Sequence, residues 1–405
     1  MKTKYLSIIM ILVLVASVAL YNTQTSKNYL PDMKEMAGKG TGMNLISGHI
    51  YAVTKNGQVI GYFDLQSAIG YAGPVDVIVF VDKDGLVKNV KIVRQIETPS
   101  FFNRVIAKGF VKQFIDKKAN SPFELGQDLD AITNATYTSR AIAQAVSKAS
   151  HNIAVTQLKM EVPKTVGFNM PLQDYLVLVL LLGVFIVQKL KWSKLRYLTL
   201  LAGFLLIGFW QKSLLSLGDF SSVLAGNISW FNPPFWIILL IGVLFLILIT
   251  GHNLYCFWLC PYGALSELLA VLGKFGRLNY KPCKESVKRF SSLRLLLAWG
   301  ALVFAFLMNN PSISSYEIFA PLFAWEGTSA QWLLLPIMLF ACVFIFRFWC
   351  HFFCPVGGIL DYLVKCRRSW VKWLKNILRK NKLDQPKTIK QLNQSSAAQS
   401  GQEQA

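Results

Sequence analysis

The hydrophobic pattern divides the chain into two regimes. Residues 5–21 form an apolar run after Lys2 and Lys4, and further apolar runs fall near 174–188, 197–211, 234–250, 293–308 and 332–347. Each approaches the length a helix needs to cross about 30 Å of hydrocarbon. Between the first run and the second the chain alternates instead. His49–Val53 and Gln58–Phe63 flank Asn56-Gly57, and Val75–Val81 and Leu86–Val93 flank Asp84-Gly85, which are two hairpin signals. Residues 101–118 and 138–153 read as helices. The pattern predicts a membrane α-helical bundle of about six transmembrane helices with an α+β domain outside it.

Composition sharpens this picture. The 405 residues are 53% hydrophobic, with a mean hydropathy of +0.41, too apolar for an ordinary soluble enzyme. A net charge of +21 suggests nucleic acid at first sight, but the basic residues sit beside apolar runs, where they act as topology determinants, so nucleic-acid binding is not expected. Lys189, Lys191, Lys194 and Arg196 follow the second run. Lys274, Arg277, Lys281, Lys284, Lys288 and Arg289 lie between the fourth and fifth, and Arg347, Lys365, Arg367, Arg368, Lys372 and Lys375 follow the last. Segment 212–233 has only Lys212, and 309–331 has neither Lys nor Arg. The positive-inside rule then puts the N-terminus, both cysteine motifs described below and the C-terminus in the cytoplasm, leaving residues 23–173 outside a cytoplasmic (inner) membrane. The expected divisions are 1–22 (first helix, an anchor or a signal peptide cut near Ser17-Val18-Ala19), 45–160 (exterior domain), 174–365 (five-helix membrane domain), 366–385 (basic amphipathic helix) and 386–405 (disordered tail).

Seven cysteines are present, none in the exterior segment, so their use points to cofactor chemistry rather than stapling. Four fall in a repeated C-x3-C-P module: Cys256-Phe-Trp-Leu-Cys260-Pro261 and Cys350-His-Phe-Phe-Cys354-Pro355. Gly263 and Gly357 follow in matching register, as do the acidic Glu267 and Asp361, so the two halves could be related by a two-fold axis along the membrane normal. Four thiolates can ligate an iron–sulfur centre. A redox-active disulfide in each module and a zinc site are the chemical rivals. His252 and His351 lie nearby but read as interfacial residues, and Cys283, Cys342 and Cys366 lie outside the repeat.

In the exterior segment, Asp130-Ala-Ile-Thr133-Asn134-Ala135-Thr136 follows Glu97-Thr98-Pro99. These strings resemble the D-x-x-(S/T)-G-A-T and E-T-P elements of the FMN-binding domain found in sodium-pumping quinone reductases, Rnf-complex subunits and NosR-type proteins. Asn134 stands where that pattern has Gly, and Ser100 where Gly usually follows E-T-P. The resemblance implies that a flavin transferase joins FMN to Thr136 through a phosphodiester bond, with Asp130, Thr133, Asn134, Ala135, Glu97 and Thr98 around it. An exterior FMN domain, five further spans and two C-x3-C-P motifs together resemble the NosR/NirI-type membrane flavoproteins. About fifty residues follow the second motif, without a C-x2-C-x2-C-x3-C ferredoxin run, a plan similar to the PceC/RdhC-type proteins of reductive dehalogenase gene clusters.

That resemblance implies electron transfer in anaerobic or organohalide respiration, from menaquinol or a cytoplasmic donor to an extracytoplasmic reductase such as a dehalogenase. Quinol oxidation is the activity it would add. The alternative is a regulatory or maturation protein of the NosR/NirI type, and a transporter-like bundle is disfavoured because no charge falls in the middle of a run. With cysteines at the inner face and flavin outside, the expected gap is about 30 Å.

Overall fold

The computed structural model describes residues 2–23, 29–71, 73–97, 99–133, 135–163, 172–228 and 235–383. After α1 (Lys2–Thr23), α2 (Leu30–Ala37) precedes a five-stranded antiparallel meander: β1 (Thr41–Ser47), β2 (Ile50–Lys55), β3 (Gln58–Ile69), β4 (Pro74–Asp82) and β5 (Val87–Gln95). Asn56 and Gly57 both take positive φ (52° and 79°), which suits the two-residue β2–β3 turn. At the β4–β5 turn, Asp82 Oδ1 accepts the backbone N–H of Asp84 (3.0 Å) and of Leu86 (2.8 Å).

Two further helices complete this domain, α3 (Pro99–Ala107) and α4 (Thr136–Thr156). The expected helix over 101–118 is shorter, because Gly109 at φ 67° breaks it and a 3-10 turn follows over Phe110–Phe114. α4 lies across β3 and β4. Ala141, Ala145, Ala149 and Ala154 are fully covered, and such small side chains let the helix backbone approach the sheet while Ile142, Val146 and Ile153 fill the space against Val75, Val77 and Val79. The sheet begins at Thr41 and α2 buries Met33 against its far face, so the domain starts earlier than the expected residue 45.

The bundle follows: α5 (Leu172–Lys189), α6 (Arg196–Gly203), which continues as a π-helix to Trp210, α7 (Leu217–Leu224), α8 (Phe235–Thr250), α9 (Pro261–Phe275), α10 (Lys284–Leu307), α11 (Phe319–Phe323), α12 (Ser329–Phe344), α13 (Phe348–Phe352) and α14 (Pro355–Leu383). Among the described residues, Leu172–Lys189, Ser193–Trp210 and Glu285–Leu307 are long and apolar enough to cross a membrane, and Ile8–Thr23, Phe235–Thr250 and Ser329–Phe344 are shorter apolar helices. These six coincide with the six apolar runs.

Three features add to or depart from the expected plan. The segments between runs at the end where the α+β domain sits pack inward. Residues 213–215 and α7 fold into the bundle, as does α11, with Leu215, Leu217, Ile318 and Phe323 fully covered. The expected separate helix at 366–385 is the continuation of α14, which runs unbroken from Pro355, and its Trp370, Trp373 and Leu378 are exposed. The expected tail at 386–405 lies outside the described residues.

The cysteine modules form the third departure. After α8 the chain turns at Gly251 (φ 68°) and heads back into the bundle. The carbonyl of Leu259 lies against Gly203, and Pro261 lies beside Gly208. Gly208 is fifteen residues into the helix that starts at Ser193, so Cys260 stands roughly 20 Å from the basic end. α9 then descends until Gly273 meets Val343. The second module does the same: Arg347 at φ 53° reverses the chain, α13 climbs, and α14 descends along α10. The modules therefore do not sit at the ends of the long helices.

Two outcomes follow. A methyl group at Gly203 would collide with the Leu259 carbonyl, so Gly203→Ala should destabilise the bundle by about 1–3 kcal/mol through overpacking, read as a lower unfolding temperature in detergent. Asp64 is fully covered, and burial raises its carboxyl above the ordinary carboxylate range despite hydrogen bonds from Asn152 and Gln66. A carboxyl whose folded pKa is raised is better tolerated protonated, so stability falls as pH rises from the ordinary carboxylate range through the folded value. Asp64→Asn should remove that slope and slow hydrogen–deuterium exchange in β3 and α4 more at pH 7.5 than at pH 5.

Candidate functional site

The flavin end is built on the start of α4. Thr136 is the first residue of that helix and is exposed, as are Asp130 and Thr133, whereas Ala135 is buried. Ala135 occupies the N-cap and supplies no side-chain acceptor, so the first-turn N–H groups and the positive end of the helix dipole surround an accessible hydroxyl. This suits a phosphate ester. Glu97 is buried, receives the Thr138 hydroxyl, and its own N–H donates to Gln95 Oε1 (2.7 Å). A side chain at Gly70 would collide with the Glu97 carboxylate. The fold thus brings Glu97 to the helix that opens at Thr136. Thr98 and Asn134 lie outside the described residues.

The domain docks on the bundle through this same corner. Tyr71, Phe101 and Tyr137 form an aromatic cluster, with centroids 6.0 Å apart (Tyr71–Phe101) and 6.2 Å apart (Tyr71–Tyr137). Tyr71 Oη lies 3.3 Å from Ser213 Oγ, the Trp236 indole donates to the Tyr71 carbonyl (3.2 Å), and the Phe235 N–H donates to Tyr137 Oη (3.2 Å). Arg104 pairs with the buried Glu326 at 2.6 Å. Sequence reasoning missed Tyr71 and Tyr137; the only available signal was the tyrosine directly after Thr136.

The cysteine end repeats one design twice. Cys260 and Cys354 each precede a helix-opening proline, and the Cys354 sulfur accepts the first-turn N–H of Gly357 (3.4 Å). Arg347 Nη1 donates to the Cys256 carbonyl (3.1 Å) and Arg294 Nη1 to the Cys350 carbonyl (2.7 Å). Arg347 also pairs with Glu267 (2.7 Å) and Arg294 with Asp361 (3.1 Å), so the acids expected in register hold equivalent places. Both modules pack into one apolar cluster, which buries Cys260 and Cys354 and has Cys256 and Cys350 packed against it.

All seven cysteines are free. Among the described residues no three candidate ligands already stand at metal-binding spacing. The donor set nonetheless fits a thiolate-ligated cluster, with four sulfurs in an apolar bundle, two helix starts and two buried guanidiniums. His252 and His351 contribute no such grouping, and Cys283 and Cys366 are exposed away from it. Nothing in the local pattern marked Arg294 and Arg347 as buried partners, because both look like flanking topology charges.

The two ends are joined. Tyr255 directly precedes Cys256, and its carbonyl accepts the Cys260 N–H (2.8 Å). Its Oη accepts the Leu215 N–H (3.2 Å), and Ser213, two residues before Leu215, meets Tyr71. A buried line of bonded groups thus runs from the cysteines to the flavin domain.

The family described as an FMN-binding domain matches residues 70–151, and the 4Fe-4S binding domain family matches two stretches, 232–278 and 331–381. These stretches contain the aromatic corner with Thr136 and the two cysteine modules. A component of the proton-translocating ferredoxin:NAD(+) oxidoreductase complex of Clostridium ljungdahlii is 32% identical over 108 residues, 25% of this chain and 58% of that protein. The regulatory protein NosR of Pseudomonas aeruginosa is 25% identical over 200 residues, 46% of this chain and 27% of its own length. NirI of Paracoccus denitrificans is 29% identical over 141 residues, 33% of this chain and 20% of its own length. The chain spans less than two thirds of each of these relatives. With a stretch that matches the FMN-binding domain family seated on a bundle that carries both stretches of the 4Fe-4S binding domain match, the chain is similar to the NosR/NirI-type FMN-binding proteins.

Proposed function

We propose that the chain is a multi-pass inner-membrane electron carrier whose FMN is bonded covalently to Thr136 on the extracytoplasmic side and whose Cys256, Cys260, Cys350 and Cys354 hold an iron–sulfur cluster. The observation that carries this reading is the line Tyr71–Ser213–Leu215–Tyr255–Cys260, whose last link is the Cys260 N–H on the Tyr255 carbonyl and which puts continuous packed contact where a bilayer-wide gap was expected. The donor would be menaquinol or a cytoplasmic protein, and the acceptor an exterior reductase, a dehalogenase being the example suggested by the PceC/RdhC-like plan. Maturation would need a flavin transferase. FMN, when bound, supplies exchange between two-electron and one-electron couples.

The chain's own groups have definable tasks in this scheme. The open start of α4 receives the flavin phosphate, and Asp130 and Thr133 stand exposed where a modifying enzyme reaches them. Glu97 fixes α4 through Thr138. Tyr71 and Tyr137 hold the attachment corner on the bundle, and the apolar packing around Tyr255, Tyr262 and Trp349 buries Cys260 and Cys354. A regulatory role is the second reading, favoured by the description of the NosR relative as a regulatory protein. Rapid flavin bleaching by a reduced quinol supports the carrier; a flavin that reacts only over many minutes supports the regulator.

Two measurements test the cofactor assignments. After co-expression with a flavin transferase, the wild type should show the added FMN mass and a fluorescent gel band, and Thr136→Val should show neither; retention of the mass by Thr136→Val would sink the linkage. Anaerobically purified protein should contain iron and sulfide, and Cys256→Ser should lose most of both, as removal of one of four ligands requires.

A further inference from the structure

Arg294 and Arg347 are only 4% and 3% exposed, in a bundle where burying a charge is costly unless it is matched. Their carboxylate partners do not balance them. Arg196 and Arg347 share Glu267, and Arg294 has Asp361, so three guanidiniums face two carboxylates, a surplus of one positive charge. The Nε atoms of Arg294 and Arg347 are buried without a hydrogen-bond partner. The surplus faces the sulfurs. A Cβ built on Gly357 would lie 3.2 Å from Arg294 Nη1 and 3.6 Å from Cys354 Sγ. One built on Gly263 would lie 3.6 Å from Arg347 Nη2 and 3.5 Å from Cys260 Cβ. Glycine at both positions leaves each arginine an open approach to a cysteine. The arrangement also crosses the repeat. Arg347 begins the second module, in a left-handed conformation that a non-glycine residue adopts at a cost, yet its guanidinium serves the first.

We propose that Arg294 and Arg347 are the buried counter-cations of the cysteine site, positioning residues that balance the charge of a cluster held by the four thiolates and raise its reduction potential. This rests on the cluster reading above. Adding an electron makes such a cluster more negative, so a fixed positive charge beside it favours the reduced form.

The test is a redox titration of the full-length protein, purified anaerobically, with iron and sulfide quantified and the reduced cluster followed by electron paramagnetic resonance. Arg347→Gln and Arg294→Gln should each shift the reduction equilibrium at least tenfold toward the oxidised form, about 59 mV downward for a one-electron couple. Glu267→Gln, which frees cation charge, should shift it upward, and Arg347→Lys should recover most of the wild-type value. A purely structural role predicts no such opposition of sign. Unshifted potentials in variants that keep their iron, or arginine and glutamate variants that move the same way, would overturn the proposal. If both Arg→Gln variants lose iron, the direction of Glu267→Gln decides it. A wild-type chain lacking iron and sulfide overturns the cluster reading, and this inference with it.

Discussion

A broken helix inside an apolar bundle leaves carbonyls that water cannot reach, and supplying donors to them is the constraint on which this structure turns. The interruptions are where the chain places arginine. Arg347 serves Cys256, Arg294 serves Cys350, and Arg196 serves Phe257. Arg367 closes the end of α8 at Leu248 and Ile249, Arg368 serves Gly251, and Tyr316 donates to the Phe353 carbonyl. Such bonds tie one half of the repeat to an element outside that half, and at the part-buried carbonyls of Cys256, Cys350, Gly251 and Phe353 they also satisfy a group whose desolvation without a partner would cost about 1–3 kcal/mol. The cysteines are held at depth because the backbone carrying them can be held there.

The same depth bears on reach. On the proposed topology, long helices alone would leave thiols and flavin a bilayer apart. The re-entrant modules climb from the basic end, and the segment at 213–215 together with α7 and α11 descends from the other, so the two sets meet at Tyr255, Tyr262 and Trp349. The FMN-binding domain completes the approach by docking Tyr71 and Tyr137, beside the start of α4, directly on Ser213, Phe235 and Trp236. Each contact has a modest net worth, of order 1 kcal/mol for a single hydrogen bond. Their value lies in geometry, since together they fix the orientation of α4 on the bundle.

The repeat explains why the site is symmetric without being identical. Proline after the second cysteine opens a new helix, glycine two residues later lets a guanidinium approach, and an acid four residues further on pairs with it. The acids differ in load: Glu267 binds two arginines and Asp361 one. Asymmetry of this kind leaves the two halves unequal in charge, and the surplus lies on the side of Cys256 and Cys260.

The sequence by itself determined the parts. Alternation and Asn56-Gly57 specified the sheet, runs of apolar residues specified the helices, and the duplicated C-x3-C-P spacing marked the thiols, because each is a local pattern with a period or a fixed offset. The Asp130–Thr136 string marked the proposed attachment site for the same reason. What only the tertiary structure decided was where those parts stand relative to one another. Nothing in the residues around Cys256 distinguishes a helix that ends at the membrane surface from a module that turns back into the bundle. That choice depends on donors such as Arg294 and Arg347, 38 and 91 positions away from Cys256, and on the fit of Leu259 against Gly203. Flanking charges likewise look alike in sequence whether they face headgroups or a buried carbonyl. Only packing removes water from around a guanidinium and turns a topology signal into part of the site.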